Sequence, residues 1–202
     1  MRRLMLCAAL AAGASMLLGC DGSKPAAAAG GGFKGVDITG AEYARELSLP
    51  DTSGQMRSLA DFKGKVVVVF FGFTQCPDVC PTTLAELAEV RKQLGADGAK
   101  VQSIFVSVDP ERDTAELLKE YVQNFGADNI ALRGTPEQTA AMAKEFKVFY
   151  AKVPGKTETS YTVDHTAASF LYDPQGRVRV YSRYGSGPEA LGHDIKRLLS
   201  GA

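Results

Sequence analysis

The chain has 202 residues, of which 45% are hydrophobic and 23% charged, and its 23 basic residues balance 23 acidic ones. This length suits one domain with short appendages, and the hydrophobic share argues against a disordered, collagen-like or coiled-coil chain. Zero net charge supplies no basic face for nucleic acid, so we expect no nucleic-acid partner.

The first twenty residues have the pattern of an export signal. Arg2 and Arg3 form a positive start, an apolar stretch covers residues 4–18, and Leu-Leu-Gly-Cys ends the pattern at Cys20. The pattern resembles a bacterial lipoprotein signal, which implies cleavage before Cys20 and lipidation of its thiol. An ordinary secretory signal with an incidental cysteine is the alternative. We expect a signal peptide over residues 1–19.

The residue after Cys20 indicates which membrane would retain the lipidated chain. Asp21 follows it directly, and by resemblance to proteobacterial lipoproteins this implies retention at the inner membrane, facing the periplasm. Two or more acyl chains give stable attachment to a bilayer. Residues 22–32 are mostly Gly, Ala and Ser, a composition typical of a flexible linker. We therefore expect a lipid-anchored linker over residues 20–33.

The remaining residues, 34–202, are expected to form one domain. Strands are predicted where β-branched and aromatic residues run together between turn signals, and helices where a capping residue precedes apolar residues at helical spacing. The predicted strands cover residues 45–49, 55–58, 65–73, 101–108, 130–132, 168–172 and 177–184. The predicted helices cover residues 81–94, 113–125 and 135–146, and a last one starts at 186. This order predicts an α/β fold with a mixed central sheet, helices on both faces and an extra N-terminal β-hairpin.

Two of these helices carry a capping-box pattern at their start. Thr83 and Glu86 have this spacing near the start of the helix predicted at 81–94. Thr135 and Gln138 have it at the start of the helix predicted at 135–146, with a proline at the first helical position.

Only two cysteines remain for sulfur chemistry if the export signal is processed. Cys7 leaves with the signal and Cys20 is lipidated, which leaves Cys76 and Cys80 in the segment Phe-Thr-Gln-Cys-Pro-Asp-Val-Cys-Pro. This segment lies where a buried strand ends and a helix begins, the place where open α/β sheets bind ligands. Residues four apart on a helix share a face, so the two sulfurs can converge on one atom or on each other. The amides of the helix start also favour thiolates.

Two sulfur ligands are too few to complete a metal site, and the two histidines of the chain are the candidates for a third ligand. His165 lies in a polar loop predicted over residues 161–170, which leads into a strand. His193 lies on the last predicted helix and is expected on its solvated face. We therefore predict His165 as the third ligand, with a structural hydrogen-bonding role as the alternative.

Three sequence blocks together resemble the signature of a known family. They are residues 72–81 around the cysteines, residues 107–114 (Ser-Val-Asp-Pro-Glu-Arg-Asp-Thr), and residues 163–165 followed by 170–176. They resemble the Sco/SenC copper-binding proteins, and the resemblance covers about residues 45–199. It implies a thioredoxin-like fold and a metallochaperone, not an enzyme, that helps to assemble the dinuclear copper centre of cytochrome c oxidase.

The resemblance also implies the ligands and the partners. One copper ion, Cu(I) and/or Cu(II), would be bound by Cys76, Cys80 and His165. The implied partner is the copper-bearing subunit of the oxidase, and another periplasmic copper chaperone or a thiol reductant is a further candidate.

The chemistry of this donor set agrees with copper independently of the resemblance. Soft thiolates suit Cu(I), imidazole accepts either oxidation state, and three ligands leave room for an incoming one. Cys76 and Cys80 can also form a redox disulfide in the periplasm, so metal loading requires the dithiol. Asp78 and Asp164 are hypothesised to tune the site from outside the ligand set. The alternative for each is a solvated loop carboxylate.

Other functions of the same cysteines stay open. The first is a thiol–disulfide oxidoreductase that keeps the cysteines of the oxidase subunit reduced, and the second is a copper or redox sensor. Against a thioredoxin-type reductase, three residues separate the cysteines instead of two, Gln75 precedes them instead of Trp, and the loop over 161–170 contains no proline. Zinc also competes for this donor set, although structural zinc generally takes four protein ligands.

Overall fold

The computed structural model describes residues 32–157 and 160–202. The predicted signal peptide, Cys20 and nearly all of the predicted linker lie outside the described residues. The strands are β1 Val36–Asp37, β2 Ser48–Pro50, β3 Met56–Ser58, β4 Val66–Gly72, β5 Val101–Ser107, β6 Ile130–Leu132, β7 Tyr150–Pro154, β8 Tyr161–His165, β9 Ala168–Tyr172 and β10 Val178–Arg183. The α-helices are α1 Val79–Gln93, α2 Ala115–Gln123, α3 Pro136–Glu145 and α4 Gly187–Leu199. Within these ranges, no helix has the length and apolarity needed to cross a membrane.

A six-stranded mixed sheet forms the centre of the fold, in the order β1-β10-β9-β4-β5-β6. β4 pairs in parallel with β5 and antiparallel with β9. Every residue of β4 is buried, as expected for a run of β-branched and aromatic residues inside a sheet that is covered on both faces. The mixed sheet predicted from the sequence is confirmed.

Helices cover both faces of this sheet. On one face Val68 packs with Leu87 of α1 and Ile195 of α4. Successive side chains of a strand alternate between faces, so Phe71 lies on the opposite face. There it meets Phe146 at the end of α3, with ring centroids 5.0 Å apart. The predicted layered arrangement is confirmed.

The N-terminal hairpin is also confirmed, as β2 and β3 form a separate two-stranded sheet. A second hairpin, β7–β8, was not predicted, and the loop expected over residues 161–170 is wrong in its first half, because residues 161–165 form β8. Most residues of both strands are exposed or half-buried, so they lack the buried run that indicates a strand. The short edge strand β1 was also missed.

Helix α1 begins two residues before its predicted start. Its first residue is Val79, so Pro81 takes the third position, where its missing N–H costs no helical hydrogen bond. Thr83 is therefore inside the helix, and its hydroxyl donates to the carbonyl of Val79 at 2.8 Å. The capping box predicted from Thr83 and Glu86 is wrong. By contrast, the box formed by Thr135 and Gln138 at the start of α3 is present.

The chain before β1 is fastened to the last helix. The amides of Lys34 and Gly35 donate to the buried carboxylate of Asp194 at 2.7 and 2.8 Å. The ring of Phe33 lies within 5.7 Å of two guanidinium groups, those of Arg179 and Arg197. These contacts attach residues 33–35 to the domain.

Candidate metal centre

The two cysteines lie at the junction between β4 and α1. Cys76 lies in a turn, where its amide donates to the carbonyl of Phe73 at 3.2 Å. Cys80 lies in the first turn of α1, and its amide donates to Sγ of Cys76 at 3.4 Å. Cys76 is 9% exposed and Cys80 is fully buried. The helix start therefore brings both sulfurs together beneath the surface.

His165 approaches the two sulfurs from a separate element, the β7–β8 hairpin. It is the last residue of β8, and its Nε2 lies 3.9 Å from Sγ of Cys76 and 3.6 Å from Sγ of Cys80. Its Nδ1 lies 3.2 Å from the carbonyl oxygen of Thr166. A carbonyl can only accept, so we assign the hydrogen of the neutral ring to Nδ1, which leaves the lone pair of Nε2 facing the sulfurs.

The three side chains form a ligand set of suitable size for one ion. Both Sγ atoms and one ring nitrogen lie within 4.8 Å of one another. Over residues 32–157 and 160–202, no other group of three or more His, Cys, Asp or Glu side chains is close enough to hold a metal. His193 does not join them, since its half-exposed ring bonds to the carboxylate of Asp194. The structure thus brings together the three residues predicted from the sequence.

Aromatic rings enclose the imidazole. Phe70 and Phe73 meet His165 edge-on, with ring centroids 6.2 and 5.8 Å from it. Gly72 lies behind the sulfurs, and a Cβ there would come within 2.6 Å of Sγ of Cys80. Only glycine therefore permits this close approach of the β4 backbone to the site.

The two thiols differ strongly in acidity. The Cys80 thiol donates to the Cys76 sulfur and, with the amides of Cys80 and Asp78, lowers the pKa of Cys76 to about 5 against the opposing effect of burial. Burial, and the anionic sulfur beside it, raise the pKa of Cys80. At neutral pH the pair therefore holds one thiolate at Cys76 and one thiol at Cys80.

A buried carboxylate accepts hydrogen bonds from the turn that carries Cys76. Asp113 accepts from the hydroxyls of Thr74 and Ser107, each at 2.6 Å, and from the amide of Thr74. Burial raises the pKa of Asp113. Sequence reasoning assigned no such role to Asp113, and its place in the second signature block was the available signal.

The two carboxylates hypothesised to tune the site occupy different positions. Asp78 precedes α1 and is exposed, with one oxygen 3.3 Å from the hydroxyl of Tyr184. Asp164 is exposed and adjoins His165 in β8, so its side chain points to the other face of the hairpin. Their tuning role stays a prediction.

Comparison with known proteins agrees with this geometry. The family model described as SCO1/SenC matches residues 36–200. The chain belongs to the SCO1/SenC family. The family resemblance drawn from the three sequence blocks is therefore confirmed.

Individual SCO1/SenC relatives resemble most of the chain. The bovine mitochondrial protein SCO2 homolog is 38% identical over 157 residues, which are 77% of this chain and 59% of the relative. The chain thus spans about 60% of the length of that curated relative. The Bradyrhizobium japonicum ScoI structure with copper bound is 41% identical, with a TM-score of 0.68, and the match covers 76% of this chain and 98% of that one. This likeness confirms the thioredoxin-like fold.

A lipoprotein is also among the SCO1/SenC structures that this chain resembles. The relative from Bacillus anthracis is 29% identical with a TM-score of 0.64, and the match covers 78% of this chain and 96% of that one.

Proposed function

We propose that this protein is a copper chaperone that binds one copper ion through Cys76, Cys80 and His165. The observation that carries the proposal is the convergence of two sulfurs and one imidazole nitrogen within 4.8 Å. The donor set fits the metal, because thiolates favour Cu(I) and imidazole accepts both copper oxidation states. Copper is the cargo, to be delivered to the dinuclear copper centre of cytochrome c oxidase.

Each ligand has a distinct part in loading and release. Cys76 supplies a thiolate near neutral pH without prior deprotonation, because its pKa is about 5. Cys80 must lose its proton when metal binds, so loading releases a proton. The imidazole of His165 enters from a separate hairpin, and its departure would leave a copper ion held by two sulfurs and open to a ligand of the acceptor.

The surface beside the site suits contact with an acceptor protein. Phe149 is 64% exposed, and its backbone carbonyl accepts from the amide of Thr166, the residue after His165. Exposed aromatic side chains are enriched at protein interfaces. Transfer of copper by ligand exchange requires the acceptor to contact the protein surface beside the site. We propose the copper-bearing subunit of the oxidase as that acceptor.

We further propose that the domain over residues 34–202 is held at the periplasmic side of the inner membrane by lipid on Cys20. The Leu-Leu-Gly-Cys pattern supports the anchor, and a lipoprotein relative of the same family supports it independently. Mass spectrometry of the protein purified from membranes tests this directly. Acyl groups on an N-terminal Cys20 are expected, and an unmodified residue there would contradict the anchor.

A thiol–disulfide oxidoreductase is the second candidate function. The low pKa of Cys76 favours it, because a thiolate is the attacking species in disulfide exchange. Its natural substrate would be the cysteines of the same oxidase subunit. This alternative gives His165 no metal to bind, and that difference separates the two functions.

Copper(I) affinity measured on reduced protein without oxygen distinguishes them. A chromophoric Cu(I) chelator would compete with the wild-type protein and with Cys76→Ser, Cys80→Ser and His165→Ala, and His193→Ala serves as the matched histidine control. We expect one copper per wild-type chain and His193→Ala chain. We also expect losses in the three ligand variants that exceed the about 10- to 100-fold typical of outer-shell changes. A His165→Ala protein with full copper affinity but no disulfide-exchange activity would favour the oxidoreductase instead.

A further inference from the structure

Arg112 lies between the two segments that supply the ligands. Its Nη1 donates to Oε1 of Gln75 at 3.1 Å and to the backbone carbonyl of Tyr161 at 2.7 Å. Gln75 immediately precedes Cys76, and Tyr161 is the first residue of β8, which ends at His165. One guanidinium group therefore joins the cysteine turn to the histidine hairpin.

Aromatic stacking strengthens this connection. The Arg112 guanidinium carbon lies 3.6 Å from the ring centroid of Tyr161 and 5.8 Å from that of Phe73. Phe73 in turn meets His165 edge-on at 5.8 Å and 89°. The four side chains form a continuous series of contacts from the first residue of β8 to the metal ligand, and cation–π attraction favours the two contacts that Arg112 makes.

A buried carboxylate fixes the guanidinium in place. The side chain of Asp109 is fully buried and pairs with Nε of Arg112, while its other oxygen accepts from the hydroxyl of Tyr161 at 2.8 Å. A buried carboxylate is stable only when its oxygens are paired, so Asp109 holds both Arg112 and Tyr161. The buried Asp109 carboxylate thus fixes the position of the Arg112 guanidinium.

Few other polar contacts attach the hairpin to the body, and its main apolar attachment is Val163, which is buried in the hydrophobic core. In the part of the chain that the structure describes, β7 and β8 pair only with each other and do not join the central sheet. Lys152 and Glu111 form an ion pair between the hairpin and the body, but both are about half exposed, and such pairs contribute little.

From these contacts we propose that Arg112 is a positioning residue. It fastens the β7–β8 hairpin to the cysteine turn and so holds the His165 imidazole over both sulfurs. The proposal concerns metal geometry and therefore rests on the proposed function, but the attachment of the hairpin exists without metal and is measured separately.

Hydrogen exchange of the reduced, metal-free protein tests the attachment. In Arg112→Gln, we expect the amides of β7 and β8 to exchange about tenfold faster or more, while those of β4 and β5 keep their protection. Arg91→Gln is the matched control, because Arg91 also makes three hydrogen bonds and is similarly buried, but its partners are Gly98, Asp128 and Asn129. Unchanged exchange of the hairpin in Arg112→Gln would overturn the proposal.

Copper binding tests the consequence for His165. Arg112→Gln should lower copper(I) affinity by about 10- to 100-fold, the usual cost of losing an outer-shell partner. In the Cu(II) form it should lose or broaden the hyperfine coupling from the imidazole nitrogen, and Arg91→Gln should retain that coupling. In a His165→Ala background, Arg112→Gln should cause no further loss of affinity, because it acts through that ring.

A second variant keeps the test decisive if Arg112→Gln folds poorly. Gln75→Ala removes one exposed arm of the connection while leaving Arg112 paired with Asp109, and it should shift hairpin exchange and hyperfine coupling in the same direction by a smaller factor. Copper affinity losses that add fully to those of His165→Ala would refute the positioning role. A wild-type protein that binds no copper would refute the proposed function, and hydrogen exchange would still decide whether Arg112 holds the hairpin.

Discussion

The acidity of Cys76 gives the sharpest prediction about the metal-free site. We expect alkylation of the reduced protein by iodoacetamide to rise with a midpoint near pH 5 at Cys76, because its pKa is lowered from 9.0 to about 5. Cys80 should stay unmodified through neutral pH, since it is fully buried and its pKa is raised. Peptide mass spectrometry after timed quenching assigns the label to each cysteine.

The expected size of the effect depends on pH. At pH 6 an ordinary thiol of pKa 9.0 is about 0.1% thiolate, whereas Cys76 is about 90% thiolate. A less basic thiolate is also less nucleophilic, by about 60-fold for a four-unit difference. For equal accessibility, Cys76 should therefore react about 15-fold faster than an ordinary thiol at pH 6 and about equally fast at pH 7. Restricted access of the reagent to the sulfur lowers the rate at every pH by the same factor, so the midpoint is the quantity to compare.

Two substitutions identify the cause of the low pKa. Hydrogen-bond donation from Cys80 is the largest contribution, so Cys80→Ala should raise the midpoint for Cys76. Cys80→Ser retains a hydroxyl donor and should keep the midpoint closer to that of the wild type. A wild-type midpoint near 9, or identical midpoints in the two variants, would refute this reasoning.

Three further predictions concern the packing that supports the site. Phe146→Ala removes a fully buried ring that meets two other phenylalanines edge-on, and it should cost about 3–5 kcal/mol in chemical denaturation; a cost below about 1 kcal/mol would contradict the packing. Asp194→Ala leaves the amide of Lys34 without its acceptor, so trypsin should cut after Lys34 faster than in the wild type, and an unchanged rate would be contrary evidence. Thr114→Ala removes the N-cap of α2 and should lower the free energy of unfolding by about 1 kcal/mol, whereas no change would show that the cap is dispensable.

The central sheet could be predicted because burial imposes a simple pattern on it. The continuous apolar run that becomes β4, and the turn at residues 173–176 between β9 and β10, are both visible in the sequence. The β7–β8 hairpin could not be predicted in this way. It lies outside the central sheet and no buried run marks it. β7 shows no alternation of burial, and the alternation in β8 covers only five residues.

The ligands could be predicted from chemistry and spacing, but their supports could not. Two cysteines four residues apart at a helix start indicate a site by themselves, and the scarcity of histidine singles out His165. Arg112 and Asp113 act through contacts with residues that are remote in sequence, such as Tyr161 and Thr74. Both residues lie in the second signature block, but that block does not show what they contact, because such contacts depend on how the elements pack.

X-ray absorption at the copper edge, on reduced protein loaded with one equivalent of Cu(I), tests the central claim most directly. The account predicts two sulfur neighbours and one imidazole nitrogen in the wild-type protein, and loss of the nitrogen in His165→Ala. A wild-type spectrum with sulfur neighbours alone, unchanged by that substitution, would contradict it.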